Sequence, residues 1–333
     1  MKNKLLILIY PAYFNICREG LDNLIFTEIK FCQLKYNYNS EVEWTQRAQI
    51  SYLQFTQNAQ FTSEQIRHYS QLSFCFALFL EIEEKLLPID KSPLGIINSK
   101  MSSMLKYQGK TNELFTRTLI QCALLSCQCH FTGHPKLLDP MVGKGTSLYE
   151  GLLAGCDVYG IDCNSKIILE AQKFTKKYLE SEKYKHTYKF GRLNNKTSDT
   201  HCFTFHNTKE ALKYSPFLIE LTSGNTEQSD IVYKKNKFHL IVTDLPYGIV
   251  HNNKNSTNKL SRNPKNLLES AIPAWNRSLK TGGVLVIAWN NFLLSKKDVE
   301  SMFANHNFEI IHTTLEHRVD QSIRRDVLLG IKK

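Results

Sequence analysis

Leu137-Leu138-Asp139-Pro140-Met141-Val142-Gly143-Lys144-Gly145-Thr146 is the stretch from which the fold is read. An apolar strand ends in an acid, a turn with two glycines follows, and residues 147–153 read as a helix. Glycine lets the backbone come close to a ligand at the carboxyl edge of a parallel sheet. Roughly twenty residues on, Val158-Tyr159-Gly160-Ile161-Asp162 is a second strand ending in an acid, and a carboxylate there can accept both hydroxyls of a ribose. Strand, turn and helix repeat from residue 136 onward, which predicts an α/β fold with a parallel sheet. Residues 137–138, 158–161, 240–242 and 284–288 are its expected central strands.

Gly143-x-Gly145 also begins a dinucleotide fingerprint, but Leu148 stands where the third glycine or an alanine is expected. Asp139 lies where a pyrophosphate would have to dock, and like charges repel there. The amino group and sulfonium of S-adenosyl-L-methionine are cations, which an acid at that turn suits. Asp139, Pro140, Gly143, Gly145 and Thr146 are therefore the expected cofactor turn, with Asp162 as the ribose acid.

Phe238-His239-Leu240-Ile241-Val242-Thr243-Asp244-Leu245-Pro246-Tyr247-Gly248 is the second informative stretch. An apolar strand runs into Asp-Leu-Pro-Tyr-Gly, and proline with glycine forces a rigid turn at the same rim as Asp139 and Asp162. An exocyclic amine offers two N–H donors and a lone pair dulled by conjugation. Asp244 and a main-chain carbonyl of Leu245 or Pro246 can accept both hydrogens, and Tyr247 can stack on a displaced base. Asp244, Leu245, Pro246 and Tyr247 are thus the expected catalytic set.

Residues 139–146, Asp162 and residues 244–248 resemble the RNA methylase family that includes the tRNA guanine-N2 methyltransferases, many of which carry an N-terminal THUMP module. The resemblance spans residues 95–333. Residues 280–286 resemble that family's turn and strand after the catalytic loop, and residues 316–318 and 322–328 its closing hairpin. It implies a Rossmann-like seven-stranded methyltransferase sheet with its last strand antiparallel, S-adenosyl-L-methionine as cofactor, and guanine N2 of tRNA as the methylated group. Two departures stand out. Leu245 replaces a common proline, and the acid expected beside the adenine is replaced within Ser223-Gly224-Asn225-Thr226. Asn225 either meets the adenine amine through its carboxamide oxygen or caps an Asx-type turn; Thr226 stands beside it.

A chain of 333 residues fits a catalytic domain plus a smaller module. Residues 1–90 read as a small α+β domain that positions substrate, 91–111 as a linker, and 112–333 as the methyltransferase domain. Within the first, residues 4–9, 50–55 and 75–82 read as strands and 19–32 and 63–72 as helices, an order that suggests a ferredoxin-like layer. It holds no THUMP signature. Tyr10, Tyr13, Phe14, Tyr36, Tyr38 and Trp44 are either stacking surfaces or core.

The net charge of +11 suits a polyanionic partner, a nucleic acid and in particular RNA. Lys173, Lys176, Lys177, Lys183, Lys185, Lys189, Arg192 and Lys196 either track a phosphate backbone or line a solvated helix face. Nine cysteines lack a paired framework, and Cys127, Cys129, His130 and His134 match no zinc spacing. The expectation is reduced thiols, no metal and a cytoplasmic protein. The apolar run at residues 5–10 is too short to span a membrane, and no motif specifies an activating protein subunit. The same amine-binding loop serves DNA adenine-N6 and cytosine-N4 methylation, and a glutamine amide presents similar donors. A catalytically silent RNA-binding subunit is the rival of another class; three acids on one rim argue against it.

Overall fold

The computed structural model describes residues 2–11, 21–91, 93–104, 111–193, 198–245, 264–313, 315, 317–318 and 323–333. Strands β1 (Asn3–Ile9), β2 (Glu41–Arg47), β3 (Ile50–Gln57), β4 (Cys75–Ile82) and β5 (Lys85–Ile89) form an antiparallel sheet in the order β2-β3-β1-β4-β5. Helices α1 (Leu21–Tyr36) and α2 (Ser63–Ser70) connect β1 to β2 and β3 to β4, which is the split βαβ order of ferredoxin-like layers. Leu24, Ile25, Ile29 and Cys32 of α1 are buried, and Asn37 ends that helix at φ 54°.

Two of these strands are additions to the sequence reading. β2 is joined to β3 through Ala48 and Gln49, both at positive φ, so the hairpin lacks the Asn-Gly signal that would announce it. β5 carries Pro88 on the outer edge of the sheet, where proline costs no ladder bond. The expected linker also contains a helix, α3 (Lys100–Met104), whose Met101 is fully buried. Ser102 there donates to the buried carboxylate of Glu150 at 2.5 Å.

Beyond α4 (Glu113–Ser126), the chain alternates β6 (Lys136–Asp139), α5 (Thr146–Leu153), β7 (Asp157–Asp162) and α6 (Ser165–Ser181). A hairpin, β8 (Lys185–Leu193) and β9 (Ser198–His206), precedes α7 (Lys209–Tyr214) and β10 (Phe217–Ser223). Then come α8 (Ser229–Tyr233), β11 (Phe238–Asp244), α9 (Pro264–Ser278), β12 (Leu279–Asn290), α10 (Lys296–Asn305), β13 (Phe308–Ile311), β14 (His317–Arg318) and β15 (Arg324–Lys332). The sheet order is β13-β15-β12-β11-β6-β7-β10-β9-β8, with β14 against β15. β10, β7, β6, β11 and β12 are parallel, and β15 runs antiparallel between β12 and β13. This is the expected seven-stranded Rossmann-like sheet, widened by β8, β9 and β14.

The central strands are apolar on both faces because helices cover both. Leu137, Val158, Val242 and Val284 face one core, and Leu138, Tyr159, Ile241 and Leu285 face the other. The first core continues without a break into the N-terminal layer through α4. Lys35 of α1 donates to the carbonyls of Leu124 and Cys127 at the carboxyl end of α4, where a cation is favoured. Glu28 of α1, fully buried, meets the Ser73 amide and hydroxyl, and Ser73 in turn meets Thr118 of α4 at 2.9 Å.

Candidate active site

Parallel strands bring their carboxyl ends to one rim. Asp139 ends β6, Asp162 ends β7, Ser223 ends β10, Asp244 ends β11 and Asn290 ends β12. β15 runs the other way, so its beginning reaches the same rim, with Arg325 paired to Asn290.

The turn between β6 and α5 is built on two left-handed glycines, Gly143 at φ 50° and Gly145 at φ 95°. At Gly143 a Cβ would project into open space, whereas at Gly145 it would meet the Tyr149 ring at 3.1 Å. The turn is tied to the neighbouring strand: Val142 N donates to the Ile161 carbonyl and Gly143 N to Asp162 Oδ2, both at 3.1 Å. Asp162 Oδ1 accepts from Asn164 N at 2.8 Å, and the residue is half-buried.

Asp139 differs from the open cation partner that its sequence position suggested. It is buried, and its oxygens accept from Ser147 Oγ, from Met141 N at 3.0 Å and from Thr243 Oγ1 at 2.9 Å. The carboxylate thereby ties turn, helix and adjacent strand together. Burial pushes its pKa up to about 6; the hydrogen bonds pull the other way, and the charge on Asp162 adds to the rise. Pro140 and Thr146 are buried in the same turn.

Asn225 caps the turn after β10: its Oδ1 accepts from Glu227 N at 3.0 Å. This is the Asx-type turn that the sequence offers. Thr226 is buried and its hydroxyl accepts from Trp275 Nε1 at 2.9 Å.

Asp244 sits half-buried at the end of β11, and Leu245, just beyond the strand, donates to the Ala288 carbonyl at 2.8 Å while its side chain enters the core. Pro246 and Tyr247 lie outside the described residues, as do Glu316 and Ser322. Two side chains that sequence reasoning missed meet Asp244. Thr111 Oγ1 donates to Asp244 Oδ2 at 2.6 Å, and Arg325 Nη2 lies 3.3 Å from the same oxygen. Arg325 is itself buried, with its guanidinium 5.1 Å from the Phe115 ring centre. A signal for Arg325 existed: charged Arg324-Arg325-Asp326 opens the last strand directly before the apolar run 327–331, and charges drawn into a core need partners.

The cysteines and histidines near residue 130 go elsewhere. Cys127 Sγ lies within reach of the His239 and Gly282 carbonyls and Cys129 Sγ of the Thr281 carbonyl, while His134 stacks on Phe217 and meets Asp157. Among the described residues, no group of three or more His, Cys, Asp and Glu could hold a metal, and no helix is long and apolar enough to cross a membrane.

The rim fits S-adenosylmethionine by its donor chemistry. The turn is open over Gly143, a buried acid lies beneath it, and a second acid ends the next strand beside it. Sheet order and rim together define an S-adenosylmethionine-dependent methyltransferase with a Rossmann-like fold. The chain belongs to the RMKL-like methyltransferase domain family, whose model matches residues 117–315. It is an enzyme, and its cofactor is S-adenosyl-L-methionine. Among solved structures it is similar to TrmN from Thermus thermophilus, at 11% identity over 99% of this chain and 100% of that one, with a TM-score of 0.45. It is also similar to magnesium protoporphyrin IX methyltransferase from Synechocystis PCC 6803 with bound cofactor, at 12% identity over 68% of this chain and 87% of that one, TM-score 0.41. An rRNA methylase from Streptococcus thermophilus aligns at 13% identity over 68% and 99%, TM-score 0.36. No curated protein sequence matches the chain.

Proposed function

We propose that this methyltransferase acts on an exocyclic amino nitrogen of an RNA base, with guanine N2 in tRNA as the first candidate. The observation that carries the reading is the link between the two motifs. β11 pairs directly with β6, and Thr243, the residue before Asp244, donates to Asp139 beneath the cofactor turn. An amine held by Asp244 therefore sits one strand away from that turn, which is the proximity an in-line displacement requires.

Bound at that turn, S-adenosylmethionine supplies an electrophilic methyl group on a sulfonium. Asp162 would hold the ribose hydroxyls, and Asp139, once ionised, would place a negative charge below the cationic end. Asn225 and Thr226 shape the adenine side through the turn they form. Asp244 accepts a hydrogen from the amine, a main-chain carbonyl at residue 245 or 246 accepts the other, and Tyr247 stacks on the base. As nitrogen gains positive charge, the Asp244 carboxylate stabilises it.

A polyanionic substrate is supported by the net charge of +11 and by β8, an edge strand with exposed Lys185, Lys189 and Arg192 beside exposed Tyr188 and Phe190. The N-terminal layer, docked on α4, is read as the part that positions this substrate. Incubation with methyl-labelled S-adenosylmethionine and total RNA or total DNA, followed by nucleoside mass spectrometry, tests the reading. Label in an amino-methylated nucleoside of RNA is expected. Label in DNA alone, or in no nucleoside of either, would overturn it.

A further inference from the structure

We infer that Arg325, together with Thr111, is a positioning residue for methyl transfer: the two hold the Asp244 carboxylate in the orientation that receives the amine. The inference rests on the reading of Asp244 given above. An aspartate at a strand end has two side-chain torsions, and rotation about the second exchanges its oxygens. Here Thr111 Oγ1 and Arg325 Nη2 converge on the same oxygen, Oδ2, from opposite ends of the catalytic chain. Turning the carboxylate would break both contacts at once.

Each partner is itself fixed. Thr111 immediately precedes Asn112, whose side chain caps α4 by accepting from Leu114 N at 2.9 Å and Phe115 N at 3.2 Å. Arg325 is clamped by its pairing in β15 opposite Asn290 and seated over Phe115, the residue the same cap holds in place. A buried guanidinium demands an anion and a low-cost apolar seat; Asp244 and the Phe115 face supply them. The side chains at residues 111, 115 and 325 thus form one support under residue 244. A planar guanidinium also fixes direction, which a lysine ammonium on a flexible stem does not.

The test compares wild type with R325A, R325K, T111V and T111S under single-turnover conditions at saturating RNA and cofactor, with S-adenosylmethionine affinity measured by calorimetry. Displacement of a reacting group by about an ångström costs about 100-fold in rate, so R325A should turn over about 100-fold more slowly at unchanged cofactor affinity. R325K should recover part of the rate. T111V should lose about tenfold, the worth of one charge-assisted hydrogen bond, and T111S should recover it. If R325A does not fold, the T111V and T111S pair decides alone. Rates within twofold of wild type, or a loss fully explained by weaker cofactor binding, would overturn the inference. Failure of wild type to methylate any RNA amine would instead overturn the reading beneath it.

Discussion

Burial pushes the Asp139 carboxyl from its ordinary 3.8 up to about 6, so its charge depends on pH near neutrality. A folded-state pKa that is raised means stability fully present below the ordinary value and lost as pH rises through about 6. In the ligand-free protein Asp139 therefore costs stability above that pH. Cofactor affinity should move oppositely, rising as pH increases through about 6, because the acid beneath a cationic ligand becomes ionised. Calorimetric titration across that range should show this rise in wild type and none in Asp139→Asn; a flat wild-type profile would contradict it. Glu28 follows the same sign further up the scale. Burial raises it from 4.5 to about 8 against the opposing Ser73 hydrogen bonds, so at neutral pH it is protonated between the two layers. Its contribution to stability is lost as pH rises through about 8. Glu28→Gln should flatten that decline and be the more stable protein above it, by an amount on the order of a few kcal/mol. Thermal melts of both proteins against pH check this; parallel curves would contradict it.

At the scale of elements, α4 matters beyond its length. Its amino end carries the Asn112 cap beside Thr111, its middle meets the N-terminal layer through Thr118, and Arg117 reaches the buried Glu150 at 2.8 Å. Asn112→Ala removes a cap worth about 1 kcal/mol. Because the cap also holds the Phe115 amide and directly follows Thr111, turnover should fall further than that stability loss explains, and Asn112→Asp should restore both. Urea denaturation alongside single-turnover rates would reveal a purely structural cap by a stability loss with normal turnover. The sequence displayed some elements plainly and hid others for physical reasons. β6, β7, β11 and β12 are readable because they are apolar on both faces, and the first three also end in acids. β8 was hidden because it lies at the sheet edge, largely exposed on both faces, and shows no alternation. β2 and β5 were hidden by hairpins turning on Ala48-Gln49 and Glu83-Glu84, all at positive φ without glycine. The rim acids were legible one by one, each closing its own strand. Thr111 was not, because its contact with Asp244 joins residues 133 positions apart and exists only in the folded chain.

For the whole molecule, the net charge of +11 bears on the proposed RNA substrate, whose phosphates basic side chains would neutralise. If β8 is part of the docking face, affinity should fall linearly with salt on logarithmic axes, since each neutralised phosphate releases counterions. Charge reversal of Lys185 and Lys189 to Glu should weaken binding alike across RNA sequences and flatten the slope by about one to two. Cofactor affinity should not change. An unaltered slope in that double variant would place the docking face elsewhere.

The central claim, that Asp244 serves transfer to an exocyclic amine rather than cofactor binding, is tested most directly by the single-turnover rate of Asp244→Ala with saturating cofactor and RNA. Asp139 and Asp162 hold the other end of the rim, so cofactor affinity should stay near wild type while the rate falls by orders of magnitude. Asp244→Asn, keeping one acceptor oxygen without the charge, should fall between the two. An Asp244→Ala rate equal to wild type would contradict the account and leave residues 244–248 as no more than the end of a strand.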